Sequence, residues 1–545
     1  MTNEEQEAQR NADIEKILSS TAKKKVILAG PGTGKSYLLA EAIKRKKDQG
    51  KSKFHAITFL GKLEHSLADD LAGLSETSTL HSFARSIVLE GLPTWRYFKN
   101  IKEIIFQDLE IAKAKDISIW SEEYQERSQY YKAIGDADVV HLAVQLMQKD
   151  PDNIPLRDLF LVDEYQDFND IENDFIELIG SKSEIIIVGD DDQALYLWKG
   201  GDPKYIRDKY HSSNTEYKSF TLRWCNRCPQ VIVDTFHSVV GVYGSLLKNR
   251  VSDKEYICFI PKKGNDSKLN PQIGLIKASQ YGIAKQIKNQ LKDILLNQSI
   301  KSVLVIGEDK STYKLLTTVA NSLREFGFNN VEYKYDNDRV YYFDVDFLEA
   351  YRILGKEENS VLAWRVLSGK LATKDTTHLL NNFNNDADVF IKNLDDDFKK
   401  THINYAKALK KLKDGPESIR KQVTDTTIEE LEKEITESSK DKREVFTRQL
   451  VKSTHHIPSP LSNLEITVCN IMGSKGLGAD VVFLLGFDHK KLPTKATPTE
   501  GEVYQFLVAL TRTQKRMYLI NTIGCEPSKF MSAIDKNTYL VENIY

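Results

Sequence analysis

At 545 residues the chain is too long for one hydrophobic core, so about three to four domains or subdomains are expected. A composition of 41% hydrophobic and 28% charged residues excludes a disordered chain, and five cysteines exclude a disulfide scaffold and fit a reducing compartment. The formal net charge of −2 excludes a global basic field, so any nucleic-acid binding has to come from a local groove. No apolar run nears the ~20 residues of a spanning helix, the longest candidate being VVFLLGF at 481–487, so no membrane contact is expected. The polar start MTNEEQEAQRN is unlike a secretory signal, and the cytoplasm is the expected location.

Along the chain, apolar β-rich runs recur: KVILAG (25–30), LFLVDE (159–164), EIIIVGD (184–190), SVLVIGED (302–309) and DVVFLLG (480–486). Continuous apolar strands followed by loops and helical patterns predict an α/β fold with parallel sheets covered on both faces. Ligand chemistry is then expected immediately after the strands, at their carboxyl ends. Two regions lack such strands. Residues 86–155 alternate charged and aromatic residues at helical spacing, and residues 371–460 are polar, with NNFNNDAD (381–388) and the charged stretch at 427–450. Both read as helical insertions, the charge runs as solvated helix faces. KALKKLK (407–413) is the basic stretch there that could touch a polyanion.

The first chemical motif, AGPGTGKS at 29–36, follows the strand KVIL and precedes the helical pattern YLLAEAIKRKK. Its glycines let backbone amides turn inward around phosphates at a helix N-terminus, Lys35 can reach the terminal phosphates, and the Ser36 hydroxyl suits Mg²⁺. This is a P-loop, with Ala29 where the first glycine usually stands. LVDEYQD at 161–167 ends another strand: Asp163 is placed to hold Mg²⁺ and Glu164 to orient and deprotonate an attacking water. DDDQALYLWKGG at 190–201 sets Gln193 five residues before Trp198, so one loop could sense both a phosphate and a base. Cys225 and Cys228 form a CxxC, but the other cysteines are scattered singly, and a structural zinc needs four ligands. The pair brackets Arg227 and is expected to pack beneath it.

AGPGTGKS, DEYQD, VGDDDQALYLWKGG, KGLGAD and VALTRTQKRMYL together resemble the UvrD/Rep/PcrA helicases of superfamily 1A, over nearly the whole chain and in that family's motif order. The resemblance implies two RecA-like P-loop NTPase domains, the first from 1–85 and 156–213, the second from 214–370 and 461–545. Each would carry an inserted mainly helical subdomain, 86–155 and 371–460. ATP would lie in the cleft between them.

By the same resemblance Gln6 reads adenine, and Gly30, Pro31, Gly32, Thr33, Gly34, Lys35, Ser36, Tyr37 and Gly476 surround the nucleotide. Catalysis would fall to Lys35, Asp163, Glu164, Gln193, Arg227 and Arg512, with Mg²⁺ at Ser36 and Asp163. The DNA path would include Thr58, Phe59, Thr79, His81, Phe83, Tyr196, Trp198 and Lys475.

The chain departs from the family at several points. Tyr37 and Asn226 stand where the family has an arginine and a tyrosine around adenine, so Tyr37 with Trp224 is expected to supply the stacking surface. In NIMGSKGLGAD, Asn470 and Met472 replace a threonine and a histidine, and Gly478 replaces a sugar-contacting glutamate, so base discrimination is expected to relax. The implied function is an ATP- and Mg²⁺-dependent translocase and helicase moving 3′→5′ on single-stranded or tailed duplex DNA, with RNA an open alternative strand. The other reading is a DNA-gated ATPase switch that feeds a separate nuclease. The chain stops soon after VALTRTQKRMYLIN, so no fused nuclease module is expected.

Overall fold

The computed structural model describes residues 1–59, 61–71, 73–111, 114–211, 216–247, 250–251, 254–308, 313–334, 345–370, 391–414 and 463–541. The stretches expected at 381–388 and 427–450 lie outside them, as do the side chains of 408–413 in KALKKLK.

The chain divides into two compact units, Met1–Phe83 with Ile154–Asp338 and His455–Tyr545, and Ala84–Asn153 with Arg339–Thr454. The first unit holds two parallel sheets. Its strands begin with β1 (Lys24–Ala29), β2 (Phe54–Thr58) and β3 (Glu76–Thr79); the short β4 (Arg96–Tyr97) and β5 (Ala133–Ile134) belong to the second unit. β6 (Leu159–Val162), β7 (Ile185–Gly189) and β8 (Tyr217–Leu222) complete a six-stranded sheet of order β3-β2-β6-β7-β1-β8. β8 pairs with β1 from Lys24↔Tyr217 to Ala29↔Leu222, so the first sheet reaches beyond the expected boundary at 213. The continuous apolar runs of β6 and β7 are buried along their whole length, and so is β2 despite His55 and Thr58, as strands covered on both faces must be.

After a small ribbon of β9 (Trp224–Cys225) and β10 (Ile257–Cys258), the second sheet is built from seven strands. These are β11 (Ile273–Ala278), β12 (Ser302–Gly307), β13 (Asn330–Lys334), β14 (Glu465–Asn470), β15 (Ala479–Leu484), β16 (Thr513–Thr522) and β17 (Tyr539–Val541). Their order is β13-β14-β12-β15-β16-β11-β17, every pair parallel. The expected α/β architecture of two parallel sheets is therefore present.

Helix starts follow local chemistry. In α1 (Asn3–Leu18), Thr2 accepts from the Glu5 amide while Glu5 returns a bond to the Thr2 amide, a reciprocal capping box. α2 (Lys35–Asp48) has no side-chain cap; its N-cap is Gly34 in the left-handed region at φ 96°. Uncapped amides at a helix start are what a phosphate satisfies.

In the second unit the two inserted stretches share one core, Phe98, Ile101, Ile105 and Tyr124 packing with Tyr351, Leu354, Trp364 and Leu367. Arg365 donates to Asp108 at 2.7 Å, and the Tyr131 hydroxyl and Arg127 meet the same carboxylate. Helices Val345–Leu354 and Val361–Lys370 thus belong to this unit rather than to the second sheet, where a boundary at 370 would put them. Their apolar faces complete the core of the earlier stretch, a pairing that a shift in composition does not reveal.

A candidate nucleotide cleft and strand-binding loop

The P-loop follows β1 and is set by two glycines in the left-handed region, Gly32 at φ 68° and Gly34 at φ 96°. Thr33 Oγ1 donates to the Gly30 carbonyl at 2.8 Å. The approach from the side of the second sheet is close: a Cβ on Gly32 would sit 2.3 Å from Arg227 Cβ, and one on Gly30 would sit 2.7 Å from the Tyr256 ring. The Asn226 amide donates to the Gly32 carbonyl at 2.8 Å. The Tyr256 hydroxyl lies 3.0 Å from the Pro31 carbonyl and 3.1 Å from Cys225 Sγ. Cys225 and Cys228 are fully buried in this seam beside Arg227; among the described residues no grouping with metal-ligand spacing includes them.

A cavity of about 130 Å³ is lined by Pro31, Gly32, Lys35 and Ser36, by Asp163 and Glu164, by Gln193, and by Arg227, Lys475, Gly476 and Arg512. The structure thus gathers around one space the P-loop, both acids, the third-motif glutamine and both arginines. Glu164 adopts φ 56°, a left-handed conformation that a non-glycine residue holds only where its surroundings enforce it. Its carboxylate takes Lys35 Nζ at 3.2 Å, Lys475 Nζ at 3.3 Å and Gln166 Nε2 at 2.6 Å. Burial would raise the Glu164 pKa, yet the two ammonium groups and the Gln166 bond hold it below the usual carboxylate range. Asp163 is pushed up, by burial first and by the Glu164 charge second. Ser36 and Asp163 offer hard oxygen donors to the same cavity, a set that fits Mg²⁺.

Gln193 ties the two sides together, its Oε1 accepting from Arg512 Nη2 at 2.7 Å and its Nε2 donating to Asp190 at 2.5 Å. Arg512 is anchored by the Val508 and Leu477 carbonyls. Its pKa is pushed down to about 10 by burial and by Arg227, which leaves it charged at neutral pH.

Lys475, expected on the strand path, lies instead in the cleft. It is buried, paired with Asp167 and Glu164, and so cannot face a strand in this conformation. Sequence position missed three further groups. Lys254 Nζ sits 2.6, 2.7 and 2.6 Å from Asp190, Asp191 and Asp192; Arg250 adds two bonds to Asp192, and Arg207 donates to both the carboxylate and the carbonyl of Asp191. A lysine thus fills the centre of the one grouping among the described residues that could otherwise take a metal. Asp167 accepts the Leu195 and Tyr196 amides at 2.9 and 3.3 Å, fixing the loop between Gln193 and Trp198.

The strand-path residues fall into two groups. Trp198 is 72% exposed, with Lys199 Nζ 5.1 Å above its ring. His81 is about one-third exposed, 3.9 Å from Glu172, and Thr79 caps the following helix through the Ser82 amide at 3.1 Å. Tyr196, Thr58 and Phe83 are buried, which corrects the expectation that they contact bases here. Tyr196 packs on half-buried Phe59 at 4.8 Å, and Phe83 on His55 and Phe160 at 4.2 and 5.7 Å.

At the expected base site Gln6 Oε1 accepts from the Ile260 amide at 3.0 Å, and Tyr37 is 52% exposed. Trp224 is not available for stacking: it is buried and donates to Asp13 at 3.1 Å. Arg10 takes the neighbouring place, its guanidinium 5.9 Å from the Tyr37 ring and 5.3 Å from the Phe259 ring. Its spacing from Gln6, one helical turn, was the available signal.

Two family models match the chain: an AAA domain over residues 13–199 and a UvrD-like helicase C-terminal domain over residues 223–523. Among curated relatives, the probable DNA helicase II homolog of Mycoplasma genitalium is 25% identical over 420 residues, 70% of this chain and 57% of that protein. The ATP-dependent DNA helicase Rep of Buchnera aphidicola is 34% identical over 118 residues, 20% of this chain and 18% of that protein. An ATP-dependent helicase/nuclease protein of Streptococcus agalactiae is 27% identical over 147 residues, 25% of this chain and 12% of that protein. The chain therefore spans little more than half the length of the first of these relatives and far less of the others. With both RecA-like halves matched in order and the motif residues converging on one cleft, the chain belongs to the UvrD-like helicases of superfamily 1A.

Proposed function

We propose that this protein is an ATP-dependent DNA helicase that translocates 3′→5′ on single strands. The observation that carries the reading is the single cavity shared by Lys35, Glu164 and Gln193 on one side and Arg227 and Arg512 on the other. Hydrolysis then depends on the two halves meeting, since an arginine reaching the γ-phosphate stabilises charge that develops only in the transition state. Ser36 and Asp163 would hold Mg²⁺, which neutralises phosphate charge when bound. An incoming γ-phosphate competes with Glu164 for Lys35. That exchange would free the carboxylate to take a proton from the attacking water, which the Gln193 amide orients.

Coupling to the strand runs through residues 190–201. Gln193 sits in the cleft, Asp167 holds the backbone of 195 and 196, and Trp198 presents an exposed ring for stacking. A change at the γ-phosphate moves Gln193 and, through this short segment, the stacking platform.

Strand displacement on duplexes with a 3′ or a 5′ single-stranded tail tests the proposal, with Lys35→Ala as the blank. Displacement from the 3′-tailed substrate alone is expected. Displacement from the 5′-tailed substrate overturns the polarity, and DNA-stimulated ATP hydrolysis with no displacement from either favours a switch acting on a separate nuclease.

A further inference from the structure

A second cavity, of about 300 Å³, opens at the end of β1 opposite the P-loop. Leu18 at the end of α1 and residues 19–23, which join α1 to β1, form one wall, and Lys25, Arg45, Lys46 and Glu184 are among the residues that line the rest. Four cations thus face it, Lys23, Lys25, Arg45 and Lys46, against the single carboxylate of Glu184. Two of the four are already matched. Lys46 pairs with Glu184 at 2.6 Å, and Arg45 makes a bidentate pair with Glu15 of α1 at 3.0 and 2.8 Å.

Lys25 is different. It is 6% exposed, yet among the described residues its ammonium has no carboxylate within ion-pair distance and donates to one backbone carbonyl, that of Ile17, at 3.2 Å. An ammonium carries three donors, and a buried cation lacking a counter-charge is costly. Burial lowers the Lys25 pKa, and the Lys46 and Arg45 charges lower it further, with Glu184 opposing. A lysine that only packed its stem into the sheet would leave neither a cavity at its head nor a surplus of positive charge around it. A methionine would fill that role at less cost.

We propose that this cavity is a binding site for a small phosphate-bearing anion, with the recessed Lys25 ammonium as its main contact and Lys23 at its mouth. Its volume lies at the lower limit for small-molecule sites, which suits pyrophosphate or a terminal phosphomonoester better than a whole nucleotide. An internal phosphodiester carries a single charge and is flanked by sugars on both sides, so it suits a recessed ammonium less well than a terminal phosphate does. The site is independent of the catalytic reading: β1 separates it from the P-loop by roughly five residues, about 16 Å of strand.

The test uses the full chain carrying Lys35→Ala, which removes the P-loop lysine from competition, without nucleotide or divalent ion. Thermal unfolding is followed with increasing pyrophosphate, with chloride holding ionic strength constant. A ligand that binds only the folded state raises the melting temperature in a saturable manner. That rise is expected, as is its loss on adding Lys25→Met, whose starting melting temperature should equal or exceed that of the parent. Lys23→Glu, at the exposed mouth, should weaken the apparent affinity at least about tenfold, with no change to the core. Short oligonucleotides with and without a 5′-phosphate form the second arm, and a rise only with the phosphorylated strand assigns the anion to a nucleic-acid end rather than to a free phosphate. No saturable rise with either ligand, or a rise that survives both Lys25→Met and Lys23→Glu, overturns the proposal.

Discussion

Two buried charge clusters lie on either side of Gln193, and they are built to opposite ends. Around Lys254, three fully buried aspartates meet three cations, Lys254, Arg250 and Arg207, at 2.6 to 3.1 Å. Around Lys475, the acids Glu164 and Asp167 meet Lys35 and Lys475, two of the contacts are looser at 3.2 and 3.3 Å, and the cluster borders about 130 Å³ of space. The first is a joint, complete without any ligand. The second holds its pairs only until a phosphate arrives. The same residue types give a fastener in one place and a switch in the other, the switch being the one whose looser contacts border a cavity that can take an anion.

The largest effect that could break this comparison is on stability. Lys254→Met leaves three buried carboxylates without their central cation, and removing one partner of a buried network costs ~3–5 kcal/mol. A large fall in melting temperature or in soluble yield is expected. Lys475→Met should cost less than that, because Asp167 keeps the Leu195 and Tyr196 amides and Glu164 keeps Lys35 and Gln166. Equal losses in the two variants would erase the distinction between joint and switch.

The next effect sharpens the switch. Glu164→Gln keeps the shape but removes the charge that binds Lys35 and Lys475, one of the two acceptor oxygens, and the group that takes the proton. ATP turnover should fall by ~10²–10⁴, while nucleotide affinity stays within a few-fold of the parent. Steady-state ATPase rates set beside equilibrium nucleotide binding read the two separately, and a parallel loss of binding would make Glu164 a structural acid.

The first cluster was invisible in the sequence and most of the second was legible. Lys35, Asp163, Glu164 and Gln193 follow directly on β1, β6 and β7, where parallel sheets place ligands, so local pattern located them, whereas Arg512, just before β16, came from the resemblance alone. Lys254 lies in no motif and meets its aspartates across 62 to 64 residues of chain, a pairing that only the folded backbone creates. Lys475 was found but turned the wrong way, since a motif fixes a position and not the direction of a side chain. Tyr196 and Phe83 were placed on the strand path by the resemblance, which carries over a position and not its burial, whereas each fills an aromatic pocket set by distant residues. The parallel sheets were legible from their apolar runs, while the common core of the two insertions was not, because its halves are separated by almost two hundred residues.

The smallest effect concerns the loop strung between the two clusters. Asp190 to Asp192 anchor one end in the joint, and Asp167 anchors the middle to the switch, so Trp198 rides on a segment held at both places. Trp198→Ala removes an exposed ring and should leave the melting temperature unchanged while weakening single-strand binding by ~1–3 kcal/mol, roughly five- to 150-fold, with ATP affinity spared. Tyr196→Ala, two residues earlier, opens a cavity beside Phe59 and should instead destabilise the fold by ~3–5 kcal/mol. Strand binding by fluorescence anisotropy and unfolding by calorimetry on the same two variants separate the outcomes. If Trp198→Ala behaved like Tyr196→Ala, the loop would be packing rather than a platform. If instead strand affinity fell with the fold intact, the line from Gln193 to the strand would run through a segment whose stiffness comes from the joint, because a loop free at its Asp190 end could not carry movement at the γ-phosphate to the ring of Trp198.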